Sequence, residues 1–218
     1  MLKMKKKILH LCFSDDGGAG IAVKRIHESI KNLNVDSKIL VVEKNTDYDD
    51  VLCNQSKTDK ILWGLKKKIS RNLKFINFKT SNKNTHSINI LSSNIKKQIL
   101  DINPELIFVH WIGNEMISLK QLFEIKIQKI WVLHDMWLYC GAEHYTDSKR
   151  FVNGYDRSNK PSFEFGFDLN LWNWKRKKKY IKDDAIIATS DWQYKNAIKS
   201  DLLKDKKIYK INLPINSK

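Results

Sequence analysis

Short apolar runs alternate with amphipathic helical patterns along the whole sequence. Residues 7–13 form a short apolar run bounded by turn residues, which is typical of a strand buried on both faces. Apolar residues then recur every three or four positions through residues 19–33, and this spacing predicts a helix. Residues 37–42 predict a second strand. A unit of this kind pairs its strands in parallel through a right-handed crossover.

The same alternation continues towards the end of the chain. Further strands are predicted at residues 87–91, 105–111, 129–134, 184–189 and 207–212. Helices are predicted at residues 95–100, capped by Ser92 or Ser93 and ended by Asn103 and Pro104, at residues 119–125, and from Ser190 onward. Strands that alternate with helices predict an α/β fold with a mostly parallel sheet and helices on both faces.

The chain carries a formal net charge of +16. Such a charge suits nucleic acid, but the basic runs contain no recognition motif, and we expect no nucleic-acid partner. No apolar run approaches the roughly 18 residues that a membrane-spanning helix needs. The apolar stretch at residues 8–13 is too short for a signal peptide. Three widely separated cysteines suit a reducing compartment, so we expect a cytoplasmic protein.

Polar residues follow three of the predicted strands at the point where each strand ends. They lie at residues 14–20, at His110 and Trp111, and at His134 and Asp135. Because parallel strands end at the same edge of a sheet, these clusters are expected to converge, and ligands bind at that edge.

Three glycines, Gly17, Gly18 and Gly20, form the corner after the first strand. Glycine lets backbone N–H groups approach an anion at the start of the following helix. The pattern lacks the third glycine of a dinucleotide fingerprint, although Glu43 lies where a ribose-binding acid would be expected. Either an anion-binding turn or a tight structural corner explains these glycines.

His134 and Asp135 are the candidate catalytic pair. A histidine at a strand end exchanges hydrogen bonds near pH 7, and the adjacent carboxylate is placed to orient its ring or to bind a sugar hydroxyl. Trp111 and Trp137 suit either stacking on a sugar ring or packing. The spacing of Cys140, His144 and Asp147 matches no zinc pattern, and we expect no metal.

Two segments fall outside the strand–helix alternation. Residues 59–78 carry an apolar stripe among basic residues, which fits either an anionic membrane surface or a helix that packs on the core. The candidate membrane-facing residues are Lys66, Lys67, Lys68 and Arg71. Residues 135–167 form a long connection at a strand end, and we expect a functional lid or docking surface there.

Four stretches of the sequence together resemble the N-terminal half of family 4 glycosyltransferases of bacterial surface-polysaccharide synthesis. These stretches are ILHLCFSDDGGAGIAVKRIHESI, INPELIFVHWIGNEMIS, WVLHDMWLYCGAEHY and AIIATSDWQ. The resemblance implies a Rossmann-like domain of the GT-B type and retaining transfer of a sugar from a nucleotide-sugar, without a metal or other cofactor. It also implies a lipid-linked or saccharide acceptor and a peripheral position at the inner membrane.

The resemblance assigns roles to particular residues. Gly17, Gly18 and Gly20 match the family's glycine loop, His134 and Asp135 match its histidine motif, and Ser190 lies in the SxW corner, so that these residues would face donor or acceptor. The strand-end position of His110 and Trp111 places these two residues at the same expected site. The ending LPINSK resembles the IPNGID stretch where the family's second domain begins.

The family's donor domain is not recognised in this sequence. In the family that domain binds the nucleotide diphosphate with basic residues and two glutamates eight positions apart, a spacing that no two glutamates have here. Residues 1–218 are therefore expected to form one acceptor-type domain with little activity unless a separate donor domain joins it. The alternatives are an inactive glycosyltransferase-like binding module and an NAD-dependent oxidoreductase.

Overall fold

The computed structural model describes residues 5–53, 55–73, 82, 84–181 and 184–214. Within these ranges seven strands form one parallel sheet in the order β3-β2-β1-β4-β5-β6-β7. The strands are β1 (Lys7–Leu11), β2 (Asp36–Leu40), β3 (Val51–Leu52), β4 (Leu106–Val109), β5 (Gln128–Leu133), β6 (Ala185–Ala188) and β7 (Ile208–Lys210). The predicted α/β fold with a parallel, Rossmann-like sheet is confirmed.

Helices flank the sheet. They are α1 (Gly17–Lys31), α2 (Lys57–Leu73), α3 (Ile95–Ile102), α4 (Leu119–Glu124), α5 (Arg150–Asn153), α6 (Leu169–Tyr180) and α7 (Asp191–Ala197). No helix in the described ranges is long and apolar enough to cross a membrane.

Alternate residues of the strands pack against opposite layers. Leu9 and Leu11 of β1 belong to a large core cluster, whereas Cys12 packs with Val23 of α1 and Ile39 of β2 in a smaller cluster. This alternation follows from the two-residue period of a strand. Both faces of the sheet are therefore buried, which explains why its strands read as continuous apolar runs.

The prediction of a strand at residues 87–91 is wrong. This segment is irregular because the buried carboxylate of Glu115 accepts hydrogen bonds from the backbone N–H groups of Asn89, Ile90 and Leu91 at 2.7 to 2.9 Å. These N–H groups are then not available to a neighbouring strand. The cap of α3 also differs from the prediction, since Asn94 and not Ser92 or Ser93 occupies the N-cap position.

Helix α2 presents apolar side chains away from the core. Ile61, Leu62 and Leu65 are 66, 55 and 55% exposed, whereas Trp63 is buried against Phe13. A helix whose whole apolar stripe packs on the core is therefore the wrong interpretation of this segment.

The four candidate membrane-facing residues of α2 have different surroundings. Lys68 is exposed, but the Nζ atom of Lys66 donates to the carbonyl oxygen of Ser92 at 2.9 Å. Lys66 thus binds the body of the protein instead of pointing freely outward. The side chains of Lys67 and Arg71, and residues 74–78 of the predicted segment, lie outside the described residues.

Candidate functional site at the switch point of the sheet

The order of the strands reverses between β1 and β4, and a cleft of about 600 Å³ opens at their carboxyl ends. Such a topological switch point is the usual ligand site of an open α/β sheet. The cleft is lined by Cys12, Phe13, Ser14, Asp16, Gly18, Ala19, Glu43, Asn45, Trp111, Asn114, His134, Asp135, Tyr145, Thr189 and Leu213. The glycine corner and the ends of β4 and β5 therefore meet at one rim, as the sequence predicts.

The three glycines of the corner have different roles. Gly17 has a φ of +64°, a left-handed conformation that favours glycine. Gly18 lines the cleft, and a Cβ atom built there meets nothing within 4 Å. A Cβ atom on Gly20 would lie 2.4 Å from the backbone carbon of Asp15. Gly20 is thus required by close backbone packing, while Gly18 leaves space in the cleft.

The buried carboxylate of Asp15 joins the glycine corner to the loop after β2. Its Oδ1 atom accepts from the backbone N–H of Asn45 at 2.6 Å, and its Oδ2 atom accepts from the backbone N–H of Thr46 at 3.0 Å and from the Thr46 hydroxyl. Asn45, in turn, lines the cleft. Asp15 therefore holds two walls of the cleft together.

Asp135 positions Trp111 and His144, and not the ring of His134, its neighbour in the sequence. Its Oδ2 atom accepts from the indole Nε1 of Trp111 at 2.8 Å and lies 2.5 Å from Nδ1 of His144. Because an ionised carboxylate only accepts, the His144 hydrogen is on Nδ1, and Nε2 accepts from the Ser87 hydroxyl at 2.9 Å. The predicted orientation of His134 by Asp135 is wrong, since the two side chains share no hydrogen bond among the described contacts.

The ring of His134 is held by a second histidine. Its Nε2 atom lies 3.0 Å from Nδ1 of His110, and Nε2 of His110 lies 2.9 Å from Nδ1 of His10. Burial lowers the pKa of His134 to about 4, although the charge of Asp135 acts in the opposite direction. The cleft therefore contains a neutral imidazole at pH 7.

The rings of His110 and His10, which continue the hydrogen bonds from His134, are neutral as well. Burial and then the charge of His27 lower the pKa of His10 to about 3. The pKa of His110 lies well below its usual value because the ring is buried and close to His10 and His134. His110, predicted to face a ligand, instead lies behind His134 and does not line the cleft.

Two further predicted binding residues lie outside the cleft lining. Trp137 is buried, and its indole Nε1 donates to the carbonyl oxygen of Ser87 at 2.8 Å, so this side chain packs. The hydroxyl of Ser190 accepts from the backbone N–H of Gln193 at 3.2 Å as the N-cap of α7. Thr189, one residue earlier, takes a place in the cleft lining instead.

Several lining residues were not found from the sequence. Tyr145 and Asn114 come from irregular segments, and no local pattern marks such residues as part of a site. The order of the strands brings them to the cleft, and strand order is a property of the whole chain. Asn45 had a weak signal, since it follows a predicted strand by three residues.

The charge of the cleft is opposite in sign to the charge of the chain. Asp16, Glu43 and Asp135 contribute carboxylates to the lining, and none of the described lining residues is Lys or Arg. The formal net charge of the whole chain is +16. This arrangement suits hydroxyl groups, which donate to carboxylates, better than phosphate groups, which repel them.

The described residues contain no group of three or more His, Cys, Asp or Glu side chains placed to hold a metal ion. Neither a protein-family model nor a curated protein matches the chain.

Proposed function

We propose that the cleft at the switch point binds a sugar and that the chain forms the acceptor-side part of a retaining, GT-B-type glycosyltransferase. The observation that carries this proposal is the meeting of Gly18, Trp111 and His134 in one cleft. Gly18 and His134 belong to the stretches that match the glycine loop and the histidine motif of family 4 glycosyltransferases. In this proposal a sugar passes from a nucleotide-sugar to a lipid-linked or saccharide acceptor.

The chemistry of the lining supports a polyhydroxylated ligand. Carboxylates and a neutral imidazole exchange hydrogen bonds with hydroxyl groups. The aromatic rings of Trp111 and Tyr145 offer apolar faces to the carbon face of a sugar ring. Binding of this kind holds the reacting hydroxyl close to the anomeric carbon, and positioning alone supplies a large part of the rate enhancement in a transfer reaction.

In the transfer, the acceptor oxygen forms a bond to the anomeric carbon while the bond from that carbon to the diphosphate oxygen breaks. The proton of the acceptor hydroxyl passes to the departing diphosphate oxygen, and the nucleoside diphosphate leaves with the bonding electrons. Since no Lys or Arg is among the described lining residues, the leaving diphosphate needs cations from elsewhere. We therefore propose a separate donor domain as a partner. The proposal that no metal ion or other cofactor takes part rests on the resemblance to the family alone.

A binding assay followed by a transfer assay tests this proposal. A panel of nucleotide-sugars, free saccharides and NAD is titrated against the full chain and followed by saturation-transfer NMR, and the same nucleotide-sugars are assayed for transfer. Saccharide binding is expected to be lost in His134→Ala and retained in His86→Ala, whose side chain lies outside the cleft lining. Absence of any sugar ligand in the panel would overturn the proposal.

The same panel separates the alternative functions. Saccharide binding without transfer, even with a donor domain added, would favour an inactive binding module. Binding of NAD alone would favour an oxidoreductase. NAD is the less favoured ligand because the cleft is anionic and because Val23, at the position of the missing third glycine, is buried in the core.

An anionic membrane surface is the second partner that we propose. The exposed side chains of Ile61, Leu62 and Leu65 share α2 with several lysines, among them the exposed Lys60 and Lys68. Exposed apolar side chains with flanking basic residues are typical of helices that lie in the headgroup layer. A position at the cytoplasmic face of the inner membrane would bring the cleft to a lipid-linked acceptor.

A further inference from the structure

Three histidines form a diagonal row across the sheet. His10 of β1 pairs in register with Phe108 of β4, and His110 follows two residues later on the same face. Val109 pairs with Trp131 of β5, so His110 lies opposite Val132, and His134 again follows two residues later. From one strand to the next, each histidine lies two residues closer to the carboxyl edge of the sheet, so the row runs diagonally from the interior of the sheet to the cleft.

Hydrogen bonds connect the rings along this row. Nδ1 of His10 lies 2.9 Å from Nε2 of His110, and Nδ1 of His110 lies 3.0 Å from Nε2 of His134. Each bond needs one nitrogen with a hydrogen and one without. A neutral imidazole carries a single N–H, so His110 must donate with one nitrogen and accept with the other.

We propose that His10, His110 and His134 share one tautomer and that the two inner rings act as positioning residues, because they determine which hydrogen-bonding group His134 presents to the cleft. If His10 donates through Nδ1, then His110 and His134 also carry their hydrogens on Nδ1. If the row runs in the opposite direction, all three hydrogens are on Nε2, and Nδ1 of His134 is a bare acceptor.

The buried end of the row decides between the two directions. Nε2 of His10 is buried and has no hydrogen-bond partner among the described residues. Buried N–H groups without a partner are rarer in proteins than acceptors without one. The structure therefore assigns the hydrogen of each ring to Nδ1, so that His134 directs an N–H donor into the cleft.

This assignment gives His134 a specific role in the site. A donor at Nδ1 would hydrogen-bond to a hydroxyl or ring oxygen of the ligand and would not remove a proton from the acceptor. The coupling of the three tautomers rests on the geometry of the rings alone. The role in sugar binding rests on the proposed function, and the two are tested separately.

The tautomers are measured by long-range ¹⁵N–¹H NMR on the full chain labelled with ¹⁵N-histidine, which requires no ligand. All three rings are expected to show Nδ1–H, with ¹⁵N–¹⁵N couplings across both hydrogen bonds. His27 is an internal reference for the opposite tautomer, since its Nε2 lies 3.2 Å from the carboxylate of Asp50 and must donate. Different tautomers within the row would overturn the coupling, and Nε2–H in all three rings would overturn the donor assignment.

Two substitutions at the middle of the row test whether His110 acts through His134. His110→Phe removes the donor to Nε2 of His134, so the His134 signals should shift to the positions of a mixture of both tautomers. His110→Asn keeps an amide near the position of Nδ1 and should restore the single tautomer. Phe108→Leu, which removes a ring stacked on both His10 and His110 but leaves the imidazoles and their hydrogen-bonding nitrogens in place, is the packing control. Unchanged His134 signals in His110→Phe would overturn the proposal.

The same variants are then titrated with a saccharide found to bind the wild-type chain. His110→Phe is expected to weaken binding by about fivefold to tenfold, as loss of one neutral hydrogen bond implies, and His110→Asn to restore it. Equal affinities, with the tautomer shift observed, would overturn the role of the row in binding but leave the coupling intact. Absence of saccharide binding to the wild type would instead contradict the proposed function, and the NMR result would be unaffected.

Discussion

The Oδ2 atom of Asp135 lies 2.5 Å from Nδ1 of His144, nine residues further along the chain. The same oxygen accepts from the indole of Trp111, so one carboxylate connects the ends of β4 and β5 with the connection that follows β5. Residues 135–167, predicted to form a lid or docking surface, thus begin with a segment that is bonded to the cleft. The rigidity of this corner depends on a carboxylate that accepts from three donors, the third being the backbone N–H of Trp137 on Oδ1.

Asp135→Asn tests the contribution of that carboxylate. The variant replaces a carboxylate that accepts three hydrogen bonds, two on Oδ2 and one on Oδ1 from the Trp137 backbone N–H, by an amide that offers one oxygen and one donor group. We expect the free energy of unfolding to fall by about 1–3 kcal/mol, because one buried donor loses its partner. Urea unfolding followed by tryptophan fluorescence measures the change. The exposed Asp147 provides the control Asp147→Asn, and equal stability of the two variants would contradict this prediction.

Gly18→Ala and Gly20→Ala form a matched pair in the glycine corner. The methyl group on Gly20 would meet the backbone of Asp15 at 2.4 Å, and we expect a loss of about 1–3 kcal/mol of stability. The methyl group on Gly18 meets no neighbour, and alanine favours a helix, so stability should be unchanged or rise by up to about 1 kcal/mol. Thermal unfolding separates the two, and a stable Gly20→Ala protein would refute the close-packing role.

The histidine row makes the fold sensitive to acid. Folded-state pKa values of about 3 for His10 and about 4 for His134 lie below the ordinary 6.5, so the unfolded chain binds protons first as the pH falls. Stability is therefore complete above pH 6.5 and is lost as the pH falls towards 4, by about 2 kcal/mol per ring between pH 7 and 5. Urea unfolding at both pH values measures the slope, which His134→Asn should reduce.

The buried amine of Lys177 makes the free energy of unfolding depend on pH above pH 7. Its Nζ atom is buried against the carbonyl oxygens of Trp137 and Cys140, and burial lowers its pKa to about 7. Between pH 7 and the ordinary 10.5 the unfolded chain binds the additional proton, so stability should rise with pH, by about 2 kcal/mol from pH 7 to 8.5.

A methionine in place of Lys177 should abolish most of this rise, because it carries no titrating group. Lys178→Met is the matched control, since Lys178 is exposed and pairs with Asp201 at 3.2 Å. The comparison needs only urea unfolding at the two pH values. An identical pH slope in Lys177→Met and wild type would show that the buried amine does not titrate as expected.

The apolar side of α2 is tested on vesicles. Replacing Ile61, Leu62 and Leu65 together by Gln should leave the stability nearly unchanged, because these side chains are exposed, but should reduce binding to anionic phosphatidylglycerol vesicles. Sedimentation of wild type at rising salt measures the electrostatic part of binding. The exposed Leu33 supplies the control Leu33→Gln. Failure of the wild-type chain to bind at any salt concentration would eliminate the membrane partner.

Local sequence patterns were sufficient for most of the fold. Six of the seven strands predicted from apolar runs are present, because a run buried on both faces has few other structures available to it. Helix α6 was not predicted, since its last turn is a run of basic residues and its buried side chains include Lys177, so it shows no simple apolar stripe. Strand β3 is too short, at two residues, to produce a pattern.

The candidate site was predictable only in outline. Strand ends identified Trp111, His134 and Asp135 as lining residues, because parallel strands share one carboxyl edge. The partners of these residues depend on register between strands, and a shift by one residue would place His10 on the other face. No local pattern contains that information, which is why the three-ring row and the bond from Asp135 to His144 were not foreseen.

The tie between Asp15 and residues 45–46 has a mechanical consequence. A ligand that pushes the glycine corner outward must either drag the segment after β2 with it or break three hydrogen bonds at once. Opening on that side therefore displaces one wall as a unit. On the Tyr145 side, the exposed ring makes one long hydrogen bond among the described contacts, 3.4 Å to the His134 carbonyl, and lies against Trp192, so this side can adjust gradually. Ligands of different length would be accommodated at the Tyr145 side.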